Sequence, residues 1–208
     1  MKILVICDDI YHHGEVIQLG LSFLTDEFVV SYATDMSDFS FDVTPLTGFD
    51  VVVIAKDNIV SKSKHEKWLT ENIERKFADY VENGGGLLFL HAGTVLCRHS
   101  EILKNLAGCV FVNHPEQCVV DYNIMAEHEI TLGSVSFSEK DEHYFIDFSA
   151  DDAVIFLDGV SEHGSQPAGY ARVNKRVCVL TPGHNLSVFE NSEYQKIIRG
   201  AVKWCAKI

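Results

Sequence analysis

The sequence predicts an α/β protein built on a doubly wound, mostly parallel sheet, and three observations support this prediction. Continuous apolar runs such as KILVIC (2–7) and GLLFL (86–90) are typical of strands that are buried on both faces. Segments with apolar residues at three- and four-residue steps alternate with these runs, which indicates amphipathic helices. Polar and histidine-containing stretches follow several of the runs, at the strand ends where such sheets bind ligands.

The first half of the chain alternates between predicted strands and predicted helices. Apolar and β-branched runs predict strands at 2–7, 28–34, 50–55 and 86–90. Helical periodicity predicts helices at 16–24, 64–82 and 94–106. No repeat, linker or low-complexity segment interrupts the chain, so we expect a single domain over residues 1–208.

The second half predicts further strands, some of them paired in β-hairpins, and one last helix. Strands are expected at 118–125, 143–148, 153–160, 169–173 and 176–182. VNKR (173–176) predicts a turn between the last two of these strands. The final helix is expected at 192–206, where apolar residues recur on one face.

Composition argues against several classes of partner. The net charge is −13, so a nucleic-acid backbone or an acidic membrane surface would repel the chain. No apolar run approaches the roughly 18 residues that span a bilayer, and the N-terminus lacks a secretory signal pattern. The six cysteines form no CxxC pair, which favours reduced, buried thiols. We therefore expect a cytoplasmic protein that binds neither nucleic acid nor membrane.

The stretch LLFLHAGT (87–94) predicts a tight elbow between a buried strand and a helix. Such elbows hold a nucleophile toward the active site in some α/β enzymes, and small residues relieve the crowded backbone. Here the exposed position is His91. The positive end of the next helix disfavours imidazolium, so a neutral His91 could act as a base, a hydrogen-bond donor or a metal ligand. A purely structural histidine is the alternative.

Two more stretches place polar side chains near predicted strands. PGHN brings His184 and Asn185 to the end of a late strand. DEHY (141–144) combines two carboxylates, an imidazole and a phenol, which suits acid–base chemistry or a divalent cation. A solvated, charged turn is the alternative for DEHY, and for PGHN a structural role is equally compatible with the sequence.

The HPE motif at 114–116 resembles part of a class I glutamine amidotransferase site, but it occurs too early in the chain. His114 lies only 23 residues after His91 (114 − 91), whereas His184 lies 93 residues after it (184 − 91). The elbow carries no thiol, and Cys97 falls inside a predicted helix. A Cys-dependent amidotransferase or protease is therefore disfavoured.

Together these stretches resemble the ThuA-like, or trehalose-utilisation, family. The resemblance rests on GGGLLFLHAGT, the downstream His-Pro, the DE-x-Tyr motif, Pro-Ala with an aromatic residue, and PGHN with Phe189 and Glu190, in that order. It implies a flavodoxin-like, three-layer fold of the class I glutamine amidotransferase-like superfamily, with the elbow Cys replaced. It also implies a role in carbohydrate metabolism, with disaccharides or their keto derivatives as substrates.

The residue patterns and the resemblance give one set of candidate site residues. We expect His91, His184 and Glu142 to act in catalysis. We expect the following residues to bind substrate: His114, Tyr144, Tyr170 and Asn185. Tyr170 stands where the family often has Trp, which weakens the case for stacking there. A divalent metal such as zinc is a candidate cofactor, and its ligands are not assigned by the sequence.

Two functions remain open from the sequence. The first is a hydrolase, lyase or isomerase that acts on a small sugar or keto-sugar, with His91 or His184 as the base and Glu142 as its partner. The second is a non-catalytic sugar-binding or regulatory protein. A small carbohydrate is the expected partner in both cases, and the fold also allows a homo-oligomer.

Overall fold

The structure is a computed structural model that describes residues 1–207 as an α/β chain. Its strands are β1 (Lys2–Cys7), β2 (Val29–Ala33), β3 (Val51–Ala55), β4 (Gly86–Leu90), β5 (Cys109–Asn113), β6 (Cys118–Ile124), β7 (Phe137–Asp141), β8 (Phe145–Phe148), β9 (Ala153–Ser161), β10 (Gly164–Arg172) and β11 (Val177–Leu180). Its α-helices are α1 (Gly14–Gly20), α2 (Glu71–Glu82), α3 (Gly93–Leu96), α4 (Glu101–Ala107), α5 (Leu186–Glu190) and α6 (Ser192–Ala206).

Within residues 1–207, nine strands form one sheet in the order β2-β1-β3-β4-β11-β10-β9-β6-β7. The first five strands in this order are parallel, and the other four extend the sheet in antiparallel pairs. A separate antiparallel pair joins β5 to β8. The chain changes direction across the sheet between β1 and β3, where doubly wound folds place their ligand sites. The predicted doubly wound sheet with extra hairpins is confirmed.

Side chains of the parallel strands alternate between two faces, and helices cover both faces. Val5 and Val53 belong to the core on the side of α1, α5 and α6. Ile6 and Ile54 belong to the core on the side of α2, α3 and α4. Burial on both faces explains why these strands read as unbroken apolar runs, and the result is the expected three-layer fold.

The antiparallel half of the sheet curls back over the ends of the parallel strands. β7 lies four strands from β11, a separation of ~19 Å in a flat sheet at about 4.8 Å per strand. However, Asp141 at the end of β7 accepts hydrogen bonds from the backbone N–H groups of Gly183 (2.8 Å) and His184 (3.0 Å), just after β11. A register shift beside Gly169 in β10 lies within this half, and such bulges bend a strand.

The helix predicted at 64–82 begins only at Glu71. The backbone N–H groups of Trp68 and Leu69 donate to Oδ1 of Asn58 at 3.1 and 2.9 Å, which holds the preceding segment in a non-helical conformation. The side chain of Thr70 then caps α2. Tertiary hydrogen bonds therefore override a favourable helical pattern at its N-terminal end.

Two other predicted helices are interrupted. The helix expected at 94–106 is divided into α3 and α4 because Ser100 is extended, and its hydroxyl caps α4 by accepting from the N–H of Leu103 at 3.1 Å. The helix expected at 16–24 ends at Gly20, and a short 3₁₀ turn follows at Ser22–Asp26. Among residues 1–207, no helix combines the length and the apolar character needed to cross a membrane.

The elbow after β4 leaves no room for a side chain at Gly93, since a Cβ there would lie 2.1 Å from the backbone oxygen of Ile54. We expect Gly93→Ala to lower the free energy of unfolding by about 3 kcal/mol, because backbone atoms must shift to admit the methyl group. Urea denaturation measures this change. Gly48→Ala is the matched control, since a Cβ at that position meets nothing within 4 Å. Equal stability of the two variants would contradict the tight elbow.

Candidate functional site

Four side chains from four loops meet at the carboxyl edge of the sheet. His12 follows β1, His91 follows β4, Glu142 follows β7 and His184 follows β11. The edge strand β7 points the same way as β11, because three strands of alternating direction lie between them. One donor atom from each residue lies within 4.8 Å of the others. The three predicted catalytic residues are therefore neighbours, and His12 joins them.

His91 occupies a strained backbone position at the elbow. Its φ is 43°, in the left-handed region that residues other than glycine rarely adopt. The residue is only 1% exposed, and its Nδ1 lies 2.7 Å from the carbonyl oxygen of Thr181. Because a carbonyl only accepts hydrogen bonds, Nδ1 carries the proton and donates it. The Nε2 atom faces the cluster, and this buried nitrogen has no hydrogen-bond partner among the described residues.

Asp9 orients the ring of His12. Its carboxylate is fully buried, and Oδ1 lies 3.0 Å from His12 Nδ1 while accepting the His12 backbone N–H at 2.8 Å. Burial raises the pKa of Asp9, but hydrogen bonds from His12 and from backbone N–H groups outweigh burial and lower the pKa to about 2. Burial lowers the pKa of His12. His12 Nε2 therefore faces the cluster as a lone-pair donor, with the hydroxyl of Tyr144 at 3.2 Å.

Glu142 lies between the other members of the cluster. Its Oε2 is 3.4 Å from His91 Nε2 and 3.2 Å from His184 Nδ1. Burial opposes ionisation of Glu142, but the nearby His184 and His91 rings outweigh burial and hold its pKa well below the usual range. The same carboxylate raises the pKa of His184. The 3.2 Å contact is poorly aligned for a hydrogen bond, and Nδ1 of His184 has no aligned partner in residues 1–207.

Asp141 holds the backbone beneath His184. Besides accepting the N–H groups of Gly183 and His184, its fully buried carboxylate accepts the hydroxyl of Tyr122 at 2.9 Å. Gly183 has a φ of 127°, a conformation that favours glycine. Adjacent carboxylates thus divide two tasks: Asp141 fixes the turn, and Glu142 faces the cluster.

Two predicted substrate-binding residues border the cluster. His114 Nε2 lies 3.6 Å from Glu142 Oε1, and the side chain is 37% exposed, at the mouth of the site. The Tyr144 ring stacks on His91 with 4.0 Å between ring centroids. Tyr144 is almost fully buried, so it forms a wall of the site rather than an open platform.

The other two predicted substrate-binding residues make hydrogen bonds outside the cluster. The amide of Asn185 donates to Gln117 Oε1 at 3.0 Å and to the Lys140 carbonyl at 2.9 Å, so it ties loops together. Tyr170 is fully buried in β10, and its hydroxyl donates to the Ala107 carbonyl at 2.9 Å. The expectation that Tyr170 contacts a sugar is therefore corrected, because its ring packs in the core and offers no surface for stacking.

Sequence reasoning left His12 out of the candidate set. Both His12 and Asp9 follow the first strand, at a strand end where such sheets bind ligands. The sequence did not show that Asp9 and His12, three positions apart, contact each other. The loop between β1 and α1 brings the two side chains together. The thiol of Cys97, by contrast, lies in the buried core, and burial raises its pKa well above the ordinary value.

A small cavity opens beside two of the clustered histidines. It has a volume of about 230 Å³ and is lined by His12, His184 and neighbours that include Tyr11, Asn185 and Leu186. At about 30 Å³ per water molecule, this volume corresponds to roughly eight waters. A larger cavity of about 670 Å³ lies near Trp204 and contains none of the clustered residues.

Solved structures with the same architecture define the fold class. A glutamine amidotransferase from Thermotoga maritima matches with a TM-score of 0.66 at 10% identity, covering 100% of this chain and 99% of that one. A ThuA-like protein from Bacteroides uniformis matches with a TM-score of 0.75 at 22% identity, covering 99% of this chain and 91% of that one. A ThuA-like protein from Parabacteroides merdae matches with a TM-score of 0.78 at 17% identity, covering 99% of this chain and 90% of that one. The fold is glutamine amidotransferase-like, with histidine at the elbow.

The family follows from the sequence match. A family model described as trehalose utilisation, ThuA, matches residues 3–205. The chain belongs to the ThuA family, and the resemblance stated from its motifs is confirmed. No curated protein matches the chain.

Replacing the Asp141 carboxylate should loosen the His184 turn. The Asp141 carboxylate accepts hydrogen bonds from three donors, and in Asp141→Asn an NH₂ group would face at least one of them. We expect the free energy of unfolding to fall by about 3 kcal/mol, because a buried donor loses its acceptor. Chemical denaturation tests this value. Asp147→Asn, at an exposed position of β8, should change stability by less than about 0.5 kcal/mol. A wild-type stability for Asp141→Asn would contradict the scaffold role.

Proposed function

We propose that this protein is an enzyme that processes a small sugar or keto-sugar, as a hydrolase, lyase or isomerase, at the cluster of His12, His91, Glu142 and His184. Membership of the trehalose-utilisation family supports a carbohydrate substrate. The observation that carries the proposal is the His91 ring, which is buried, oriented by a carbonyl and turned into the cluster through Nε2. We also propose a cytoplasmic setting, since the six cysteines are free thiols.

The buried Nε2 of His91 suits one of two tasks in carbohydrate chemistry. It can accept a proton from a sugar carbon or hydroxyl group, or it can hold a Lewis acid that polarises a sugar oxygen. In a keto-sugar, the proton beside the carbonyl is the acidic one, and its removal leaves negative charge on the carbonyl oxygen. Glu142, 3.4 Å from His91, balances the positive charge that either task places at the cluster.

The surroundings of the cluster suit a polar ligand of modest size. The cavity of about 230 Å³ adjoins His12 and His184, so a sugar ring seated there would present an oxygen to the cluster. His114 lies beside Glu142, and its Nδ1 is 2.8 Å from the Pro115 carbonyl, so Nε2 carries the lone pair and can accept a hydrogen bond from a sugar hydroxyl. Substrate binding by His114 and Tyr144 is part of the proposal.

A sugar-binding protein without catalysis is the second candidate. The small cavity is lined by His12 and His184 but not by His91 or Glu142, so a ligand could occupy it without touching the elbow. Calorimetry that detects sugar binding, with no product after long incubation, would support this candidate over the enzyme.

Loss of His91 should greatly reduce turnover. We expect His91→Ala and His184→Ala to lower kcat by about 10²–10⁴-fold, the usual contribution of a positioned catalytic group. The assay incubates the protein with trehalose, other disaccharides and their keto derivatives, and follows products by NMR and mass spectrometry. His163→Ala is the control, because His163 is exposed on the β9–β10 turn and should leave turnover unchanged. Undiminished turnover in His91→Ala would contradict the enzymatic proposal.

A further inference from the structure

The four-residue cluster has the construction of a metal centre. We propose that His12, His91, Glu142 and His184 bind one divalent transition-metal ion, with zinc as the preferred ion. This inference deepens the proposed function, and the ion's use in catalysis rests on that function. Metal binding itself involves only the chain and the ion, so it can be measured without a substrate.

The donor spacing fits a single ion. Two edges of the cluster, from Glu142 Oε2 to His91 Nε2 and to His184 Nδ1, measure 3.4 and 3.2 Å. Tetrahedral zinc with ligand distances of about 2.0–2.1 Å separates its donors by about 3.3 Å. The full set lies within 4.8 Å, so small side-chain rotations would bring all four donors to this spacing.

Two of the histidines already have the outer hydrogen bonds of metal ligands. A ligating histidine usually donates its other ring N–H to a carboxylate or a backbone carbonyl. His12 donates Nδ1–H to Asp9, and His91 donates Nδ1–H to the Thr181 carbonyl. Asp9 is itself held by the backbone N–H of Asp57 at 2.9 Å. Both rings therefore present Nε2 as a lone pair in a fixed direction.

Two buried nitrogens lack any aligned partner, which points directly to a missing ligand. Nε2 of His91 and Nδ1 of His184 have no hydrogen-bond partner in the described chain, and both face the same Glu142 oxygen. Acceptors that face one another in a buried site are unfavourable unless positive charge lies between them. One proton satisfies a single nitrogen–oxygen pair, whereas one divalent cation satisfies both nitrogens and the carboxylate together.

The donor set also selects the kind of ion. Three imidazole nitrogens and one carboxylate suit zinc and its first-row neighbours, while magnesium and calcium prefer oxygen ligands throughout. The side chains of His184 and Glu142 are 21% and 11% exposed, so the ion has an open side toward solvent. Zinc can expand to five-coordination, which leaves room for a sugar oxygen on that side.

Tyr144 acquires a defined role once the ion is bound. Its hydroxyl now lies 3.2 Å from His12 Nε2, the lone pair that the ion would take. With His12 Nε2 bound to an ion, the phenol would be available to donate a hydrogen bond to a sugar oxygen. Tyr144→Phe should therefore retain zinc but bind sugar more weakly.

The test uses tag-free protein, stripped by a chelator and titrated with zinc alone. Elemental mass spectrometry gives the stoichiometry, and competition with a chromophoric chelator gives the affinity. We expect one zinc per chain for the wild type and about 10–100-fold weaker binding for Asp9→Asn, which removes no proposed ligand but weakens the hydrogen bonding that orients His12. The single variants His91→Gln, His184→Gln and Glu142→Gln should lose more than this. His163→Gln, at an exposed histidine outside the cluster, should match the wild type.

Substitution by cobalt provides a second readout that does not depend on the stability of any variant. Visible absorption of the cobalt-loaded wild type should report nitrogen and oxygen coordination, and His163→Gln should give the same spectrum. Absence of bound zinc at saturation, or equal zinc binding by every cluster variant, would overturn the inference.

The metal inference and the proposed function can fail separately. Undiminished sugar turnover by zinc-free protein would keep the enzyme and remove the metal from its mechanism. Stoichiometric zinc that depends on the cluster, without any product from the sugar panel, would keep the metal centre and remove the proposed enzyme.

Discussion

The candidate site depends on the buried carboxylate of Asp141. This carboxylate joins the end of the edge strand β7 to the turn after β11 through two backbone hydrogen bonds of 2.8 and 3.0 Å. Without this closure, the sheet order would leave Glu142 four strands away from His184. A carboxylate buried at this point needs its donors, so the curl of the sheet and the geometry of the site depend on the same interaction.

The elbow after β4 imposes a second constraint, on the backbone of His91. His91 adopts a left-handed backbone conformation, and Gly93 two residues later packs against the backbone of β3. Such strain persists when the surroundings fix it, and it is typical of functional positions. The architecture that can present a nucleophile here presents an imidazole instead, with its tautomer set by Thr181. The scaffold is thus retained, with a different type of residue at the elbow.

The sequence predicts the parallel half well because burial on both faces produces a strong signal. The strands that include Val5, Val53 and Leu88 are continuous apolar runs, and each is present in the structure. The strand β7, FSEKD, escaped prediction because it carries serine and charged residues at a sheet edge. Its hydrogen bonds come from β6, and no local pattern encodes that partner.

The same limit explains which site residues the sequence could identify. His91 and His184 follow strongly apolar strands, so the strand-end rule found them. His12 follows β1 in the same way, but its place in the cluster depends on Asp9 and on three residues distant in sequence. Tyr170 was misassigned because an aromatic residue after Pro-Ala resembles a sugar platform, whereas strand alternation turns this ring into the core. A local motif shows which residue is present, whereas the packing of the strands determines whether its side chain faces the site or the core.

The most direct test of the account is anomalous diffraction at the zinc absorption edge, from crystals of tag-free protein soaked in zinc. We predict one strong peak among His12, His91, Glu142 and His184, about 2.0–2.2 Å from each donor atom. Peaks confined to exposed histidines such as His163, with none at the cluster, would contradict it. In that case His91 would be left as a metal-free base or as a structural residue.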